Sequence, residues 1–372
     1  MKNPDEYKLI QEMMIDNSKQ DQLYTAGNYW KFYEKNILNQ IKNNDLKQFR
    51  SWPGGVGSGN IQSFGGGENE LLRKYLKNFH PFDLKFEKLD NSIIVKKYNG
   101  LINKISKLFP ILSFFAIRSA EARSYFFQLI KEKQNYLYDL VSTLDKSLVQ
   151  ISDSEFGKPT GFYRNKKFYT TKFLEEILHI HFIKKNCDIE SINSITELGP
   201  GYGLMASGLL KLNKNLKYLI IDIPPILFFS EYYLKNLGFK VFGYREMKES
   251  KKFDLRTIFK DFQVCVLPPW KLNLLNNYKT DLFINVDSFQ EMEKEQSLNY
   301  LKIFQNAAKY IYLDNLIHGH KKTNKKDSFG VVNSTTRADL EKSILQEFEV
   351  VDQEISGNNL SFKALFKKII RN

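Results

Sequence analysis

Cysteine is scarce in this sequence: Cys187 and Cys265 are the two in 372 residues. They allow at most one bridge and no cysteine cage for a metal, a usage that fits a reducing cytoplasm. Long apolar runs are missing as well. The most apolar stretch, "LFPILSFFAI" at 108–117, has about half the length a membrane-spanning helix needs and is interrupted by Pro110. It reads as a buried helix, with peripheral membrane contact through Lys104, Lys107 and Arg118 as the alternative. The opening "MKNPDEYKLIQEMM" has charges where an export signal needs an apolar segment, so no such signal is expected. The glycine-rich stretch 51–69 lacks the Gly-Lys-Ser/Thr ending of a P-loop. The basic run "HGHKKTNKK" at 318–326 has no aromatic residue for base stacking. The net charge of +13 follows a composition rich in lysine. No nucleic-acid partner is expected.

What is present is the material of a packed protein: 42% hydrophobic and 14% aromatic residues. The division falls near residue 150. Residues 1–150 read as mainly helical, with "NYWKFYEKNILNQIKNNDLKQF" expected to place Trp30, Tyr33, Ile37 and Ile41 on one face. The loop 51–69, dense in glycine, reads as a lid or acceptor-binding segment. Residues 151–372 begin with two short aromatic strand-like pieces and an amphipathic helix. Short apolar runs then alternate with helices: "SITEL", "LKYLIIDI", "FKVFGY", "FQVCVL", "DLFINV", "YIYLDN", "FEVVDQEI" and "SFKALFKKI". That alternation predicts an α/β domain with a mostly parallel sheet, expected to be seven-stranded and Rossmann-like.

The densest chemistry lies in "TELGPGYGLM" at 196–205, where a first strand turns into a first helix. Ligands of such sheets bind outside the carboxyl ends of the strands. Gly199, Gly201 and Gly203 let the backbone turn sharply and approach a ligand. A dinucleotide fingerprint asks for a glycine three after Gly201, where Leu204 stands. Glu197, two residues before the first glycine, fits the S-adenosylmethionine pattern instead: the acid faces the methionine ammonium, and the turn through Tyr202 wraps the nucleoside. Asp222, followed by Ile223 at the end of the second strand, is placed to accept hydrogen bonds from ribose hydroxyls. Leu267 and Pro268 offer an apolar wall for the adenine, and Asn285 lies where the fourth strand reaches the cofactor.

"ITELGPGYGLMASGLLKL", "IIDIPPILFFSEYYLKNLGF", "VLPPW" and "NVDSFQEM" together resemble the sugar O-methyltransferase family of class I S-adenosylmethionine-dependent enzymes, over roughly residues 155–315. The resemblance implies methyl transfer to a sugar hydroxyl in surface-glycan biosynthesis, in the cytoplasm, with a sugar, nucleotide sugar or glycan as acceptor. Other readings of the same residues are a polyketide or phenol O-methyltransferase and a non-catalytic S-adenosylmethionine-binding protein of a glycan pathway.

Methylating a hydroxyl requires alignment of the oxygen and removal of its proton. Glu291 and Asp287, after the fourth strand, are the base candidates, with His318 beyond the fifth as a third. Ser288 and Gln290 are candidates for holding the acceptor. Asp287, Asp314 and Asn315 also resemble the magnesium ligands of catechol O-methyltransferases, but Gln290 stands where those enzymes carry a lysine, and a metal is not favoured. Upstream, Tyr163 is expected to fold over the cofactor, and Arg164 to meet an acceptor phosphate. In the glycine-rich loop, Arg50 is offered for a phosphate, and Trp52 and Phe64 for stacking on a sugar.

Overall fold

Continuous apolar runs, bounded by turn residues, build the centre of the molecule. The computed structural model describes residues 3–52, 120–250, 253–275, 278–325, 328–356 and 360–370, with backbone alone for 120–130. Phe64, the remainder of the glycine-rich loop and the apolar run 108–117 lie outside the described residues.

The N-terminal region contributes α1 (Pro4–Asn17) and α2 (Asn28–Asn43), and α3 (Ala120–Leu144) follows. A small hairpin of β1 (Phe162–Arg164) and β2 (Lys167–Tyr169) leads to α4 (Thr171–Asn186), which starts where the Thr170 hydroxyl accepts the Phe173 amide. Then come β3 (Ser194–Leu198), α5 (Leu204–Leu212), β4 (Lys217–Ile221), α6 (Ile226–Asn236) and β5 (Val241–Phe242). Helices α7 (Tyr244–Glu249) and α8 (Leu255–Asp261) precede β6 (Val264–Leu267) and β7 (Thr280–Val286). The chain closes with α9 (Lys294–Ala307), β8 (Ala308–Leu316), α10 (Arg337–Ile344), β9 (Phe348–Ile355) and β10 (Ser361–Lys368).

The main sheet has eight strands in the order β5-β6-β4-β3-β7-β8-β10-β9. One more strand is present than the seven expected, because the two-residue β5 pairs at the edge. Strands β5 to β8 pair in parallel, and β10 runs antiparallel to both neighbours. Runs such as "YLII" and "VCVL" are buried throughout, as strands covered on both faces must be. Edge strand β9 instead carries exposed Glu349 and Glu354, charges that discourage further pairing.

Strand order reverses beside β3: the chain first builds outward through β4, β6 and β5, then returns to lay β7 on the other side of β3. A crevice therefore opens past Leu198 and Val286, the ends of two neighbouring strands.

The face of α2 is shifted from the expected one. Tyr29, Tyr33, Ile37 and Ile41 are buried, whereas Trp30 is only partly covered. Among the described residues, several fastenings hold the N-terminal region on the sheet domain, including a Lys248–Asp16 ion pair at 3.0 Å. Asn28 Nδ2 donates to the carbonyls of Ser328 and Gly330, both at 3.0 Å. Gln296 Nε2 donates to Gln22 (2.6 Å) and Thr25 (2.9 Å) carbonyls. Arg50 forms a fully buried ion pair with Asp153 at 2.7 Å.

Candidate active site

The turn after β3 is held from several sides. Gly199, Gly201 and Gly203 adopt φ of +73°, +62° and +87°, a region that favours glycine. The Gly199 amide donates to Ile221 O (2.9 Å), and the Ser230 hydroxyl donates to Gly201 O (2.6 Å). A Cβ on Gly199 would sit 2.1 Å from Ser288 Oγ, so the turn after β3 and the turn after β7 touch across the crevice. Gly203 is the residue before α5, and its role is to start that helix.

These turns floor a cavity of about 1050 Å³, counting its open mouth. Glu197, Gly199, Gly201, Tyr202, Asp222 and Ile223 line one side of it. Glu197 is buried and accepts the Tyr218 hydroxyl at 2.7 Å. Burial drives its pKa up to about 8, against the lowering effect of that hydrogen bond. Asp222 accepts from the backbone of Ile223 (2.8 Å) and of Gly201, yet burial lifts it also to about 8. The donor set fits a nucleoside and an ammonium: one carboxyl at the end of each of two adjacent strands, and between them a backbone with no side chain in the way.

Both carboxyls stand above their unfolded values, so protonation favours the folded, ligand-free protein. That contribution is complete below about pH 4 and is lost as pH rises through about 8. The melting temperature of the empty protein is expected to fall from about pH 5 to about pH 8, and less steeply in Glu197→Gln. A melting temperature that climbs across this window would contradict the environment described for Glu197 and Asp222.

Asp287, Ser288 and Glu291 line the same cavity from the β7 side. Asp287 has φ +58° and its amide donates to Asp314 O at 2.8 Å, which fixes the carboxyl at the mouth of the crevice. Burial raises its pKa, against the pull of Lys172. Glu291 is buried and receives a hydrogen bond from Tyr29 of α2.

Several expected site residues are placed elsewhere. Asn285 is a strut: Nδ2 donates to Leu198 O (3.0 Å), and Oδ1 accepts the Phe289 amide (3.0 Å). Gln290 braces Asp287 (3.2 Å) and accepts the Leu316 amide (2.6 Å) without lining the cavity. Leu267 and Pro268 are buried behind the wall, and Pro269 takes the lining position. Tyr163 and Arg164 sit on the exposed hairpin, where Arg164 lies over Tyr138 and 3.7 Å from Asp139. His318 is exposed beyond β8 and does not line the cavity.

Arg50 and Trp52 depart furthest from expectation. The Arg50 guanidinium is spent on Asp153 and on the Ser154 carbonyl (2.7 Å), beneath the rings of Tyr202 and Tyr233. Trp52 is 3% exposed, donates Nε1–H to Asp45 O (3.0 Å) and packs edge-on against Phe229. Neither side chain lines the cavity.

Of the three residues matching the magnesium pattern, Asn315 is committed inward. Its Nδ2 donates to Asn285 Oδ1 (3.1 Å) and its Oδ1 accepts the Gln290 amide (3.3 Å). Asp314 lies 3.5 Å from His179 Nδ1, and burial followed by repulsion from Asp287 raises it to about 7. Among the described residues no group of three or more His, Cys, Asp or Glu side chains is arranged to hold a metal ion.

The structure also supplies lining residues that the sequence did not mark. Lys172 and Glu176, one turn apart on α4, pair at 3.0 Å and face the cavity. Thr25, Gly27 and Trp30 reach it from the N-terminal region, and Gln296 and Tyr300 from α9. The available signal for the α4 pair was polar residues at i and i+4 on a face that should have been apolar.

The sequence matches no described protein family and no curated protein. Comparison with solved structures gives low-identity matches that each cover part of this chain. The pyocyanin biosynthetic protein PhzM is 11% identical, with TM-score 0.36, and the match covers 54% of this chain and 57% of PhzM. An S-adenosylmethionine-dependent methyltransferase from Clostridium acetobutylicum is 14% identical, with TM-score 0.35, covering 50% and 89%. The N-methyltransferase NodS from Bradyrhizobium japonicum, in complex with S-adenosyl-L-homocysteine, is 12% identical, with TM-score 0.34, covering 53% and 88%. The chain thus spans little more than half the length of PhzM. The sheet is parallel except for β10, inserted antiparallel next to edge strand β9, a Rossmann-like α/β arrangement.

Proposed function

We propose that the protein is an S-adenosylmethionine-dependent O-methyltransferase that acts on a sugar hydroxyl in glycan biosynthesis. The observation that carries this reading is the pairing of buried Glu197 and Asp222 around a turn whose glycines leave the cavity clear. Glu197 would hold the amino acid end of the cofactor, Asp222 the ribose, and Ile223 with Pro269 the base. When bound, this cofactor supplies a methyl group on a cationic sulfur, ready for in-line displacement by an oxygen.

The chain's own residues then have two tasks. Asp287 or Glu291 takes the proton from the acceptor hydroxyl, since both carboxyls line the cavity and burial raises the pKa of Asp287, which makes it the more basic carboxylate. Trp30, with Thr25 and Gly27, closes the acceptor side and keeps water from the reacting centre. The N-terminal region, 1–150, acts in this reading as the acceptor-holding part and 151–372 as the cofactor-holding part.

Calorimetry should detect binding of S-adenosylhomocysteine and none of NADH. Mass spectrometry of the host's surface glycans should lose a methyl group when the gene is deleted. Binding of NADH without S-adenosylhomocysteine would sink the cofactor assignment, and an unchanged glycan methyl pattern would sink the acceptor assignment.

A further inference from the structure

The chain as a whole is basic, at +13, but the wall of its cavity is acidic. Five carboxyl groups line it, from Glu176, Glu197, Asp222, Asp287 and Glu291, and Lys172 is the one cation among the described lining residues. An acidic chain would give such a lining by composition alone. Here the local sign opposes the global one, so it belongs to the site.

Under the methyltransferase reading, Glu197 and Asp222 serve the cofactor. That leaves Glu176, Asp287 and Glu291 around the acceptor end, with Lys172. The lysine is already neutralised, its Nζ 3.0 Å from Glu176 Oε1. Among the described residues no further positive group lines that end to meet a phosphate, because Arg50 and Arg164 are paired elsewhere. Burial also raises both Glu176 and Asp287. Carboxyls crowded and desolvated in this way gain from an incoming positive charge and from hydrogen-bond donors, and are set against another anion.

We propose that the acceptor end of the cavity excludes anions, so that the acceptor presents an uncharged hydroxyl or an amine beside the transferred methyl, and keeps any phosphate or carboxylate outside. This inference rests on the methyltransferase reading and deepens it: a free sugar phosphate, or a nucleotide sugar with its diphosphate inside the cavity, is ruled out. Lys172 is a positioning residue in this arrangement. It holds Glu176 in place and limits the negative charge to what the fold tolerates.

The test uses ligands whose charge differs at the methyl position. S-adenosylhomocysteine is neutral there, whereas sinefungin has a carbon in place of the sulfur and, where the methyl would be, a protonated amine. Calorimetry on the full chain should find sinefungin bound about tenfold more tightly or better, the effect of one favourable charge contact. The double variant Glu176→Gln, Asp287→Asn should shrink that ratio to about threefold or less, and Lys172→Met should widen it. Because the readout is a ratio within one protein sample, a partial loss of folded protein cancels, and Lys172→Met stands in if the double variant does not fold. In a second arm, UDP-glucose and glucose 1-phosphate are titrated into the protein saturated with S-adenosylhomocysteine, and no saturable binding is expected. Equal affinities for sinefungin and S-adenosylhomocysteine, or saturable UDP-glucose binding that Lys172→Met abolishes, would overturn the proposal. Failure of S-adenosylhomocysteine itself to bind would instead overturn the cofactor reading on which it rests.

Discussion

Arg50→Ala is expected to cost about 3–5 kcal/mol of stability, because it strands a buried carboxylate. Asp153 is fully covered and accepts two guanidinium hydrogens at 2.7 and 3.1 Å, the Thr170 hydroxyl at 2.6 Å and the Ser154 amide at 2.6 Å. Without Arg50 the charge remains and its counter-charge does not. Lowering of the melting temperature on the order of 5 °C should follow for a protein of this size. The double variant Arg50→Met, Asp153→Leu should recover much of the loss, since an apolar pair of similar volume replaces both charges. A thermal melt of Arg50→Ala superimposable on that of the parent protein would show that the pair is not a structural fastening. The same variant separates this role from the one expected from sequence. A lid residue that meets a phosphate would change acceptor kinetics and leave the melt alone.

Gly199→Ala should lower affinity for S-adenosylhomocysteine about a hundredfold, corresponding to roughly 3 kcal/mol. Two effects combine at this position. The residue sits at φ +73°, which costs an L-residue about 1–2 kcal/mol. Its new Cβ would lie 2.1 Å from Ser288 Oγ and 2.5 Å from Ser288 Cβ, so one of the two turns must move. Overpacking of this kind costs about 1–3 kcal/mol. Adding Ser288→Gly removes both contacting atoms and should restore part of the affinity, leaving the backbone strain behind. If calorimetry finds Gly199→Ala at parental affinity, the turns do not form the cofactor floor.

The parts of the site that were legible in the sequence are those fixed by local geometry. A strand, a glycine turn and a helix place Glu197, Gly199 and Gly201 by their spacing alone, and Asp222 follows from the end of the next strand. The same logic placed Asp287 and Glu291 after β7. All eight apolar runs became strands of the main sheet, since each was bounded by its own turn residues. The opposite wall of the cavity was not legible, because distant segments build it. Lys172 and Glu176 come from a helix upstream of the first core strand, and Trp30 comes from α2, with a rotation that periodicity set one residue off. Arg50 and Trp52 misled for a related reason. Residue type announces that an arginine will find a carboxylate or a phosphate, but it does not say which, and Asp153, 103 positions away, was the answer. Asn285 and Asn315 posed the opposite problem: polar residues at strand ends beside a ligand site, used to tie β3, β7 and β8 to one another.

The placement of β10 sets the order in which the domain can be finished. It lies between β8 and β9 and is hydrogen-bonded to both, although it leaves the ribosome after them. Until residues 361–368 emerge, β8 has an open flank and β9 has no partner in the sheet at all. A nascent chain stalled before that point exposes two unpaired strand edges at once, one of them carrying Val350, Val351 and Ile355. Completion of the sheet therefore waits on a strand that is made after both of its neighbours. During that interval the growing chain is most open to strand exchange with a neighbour on the same message.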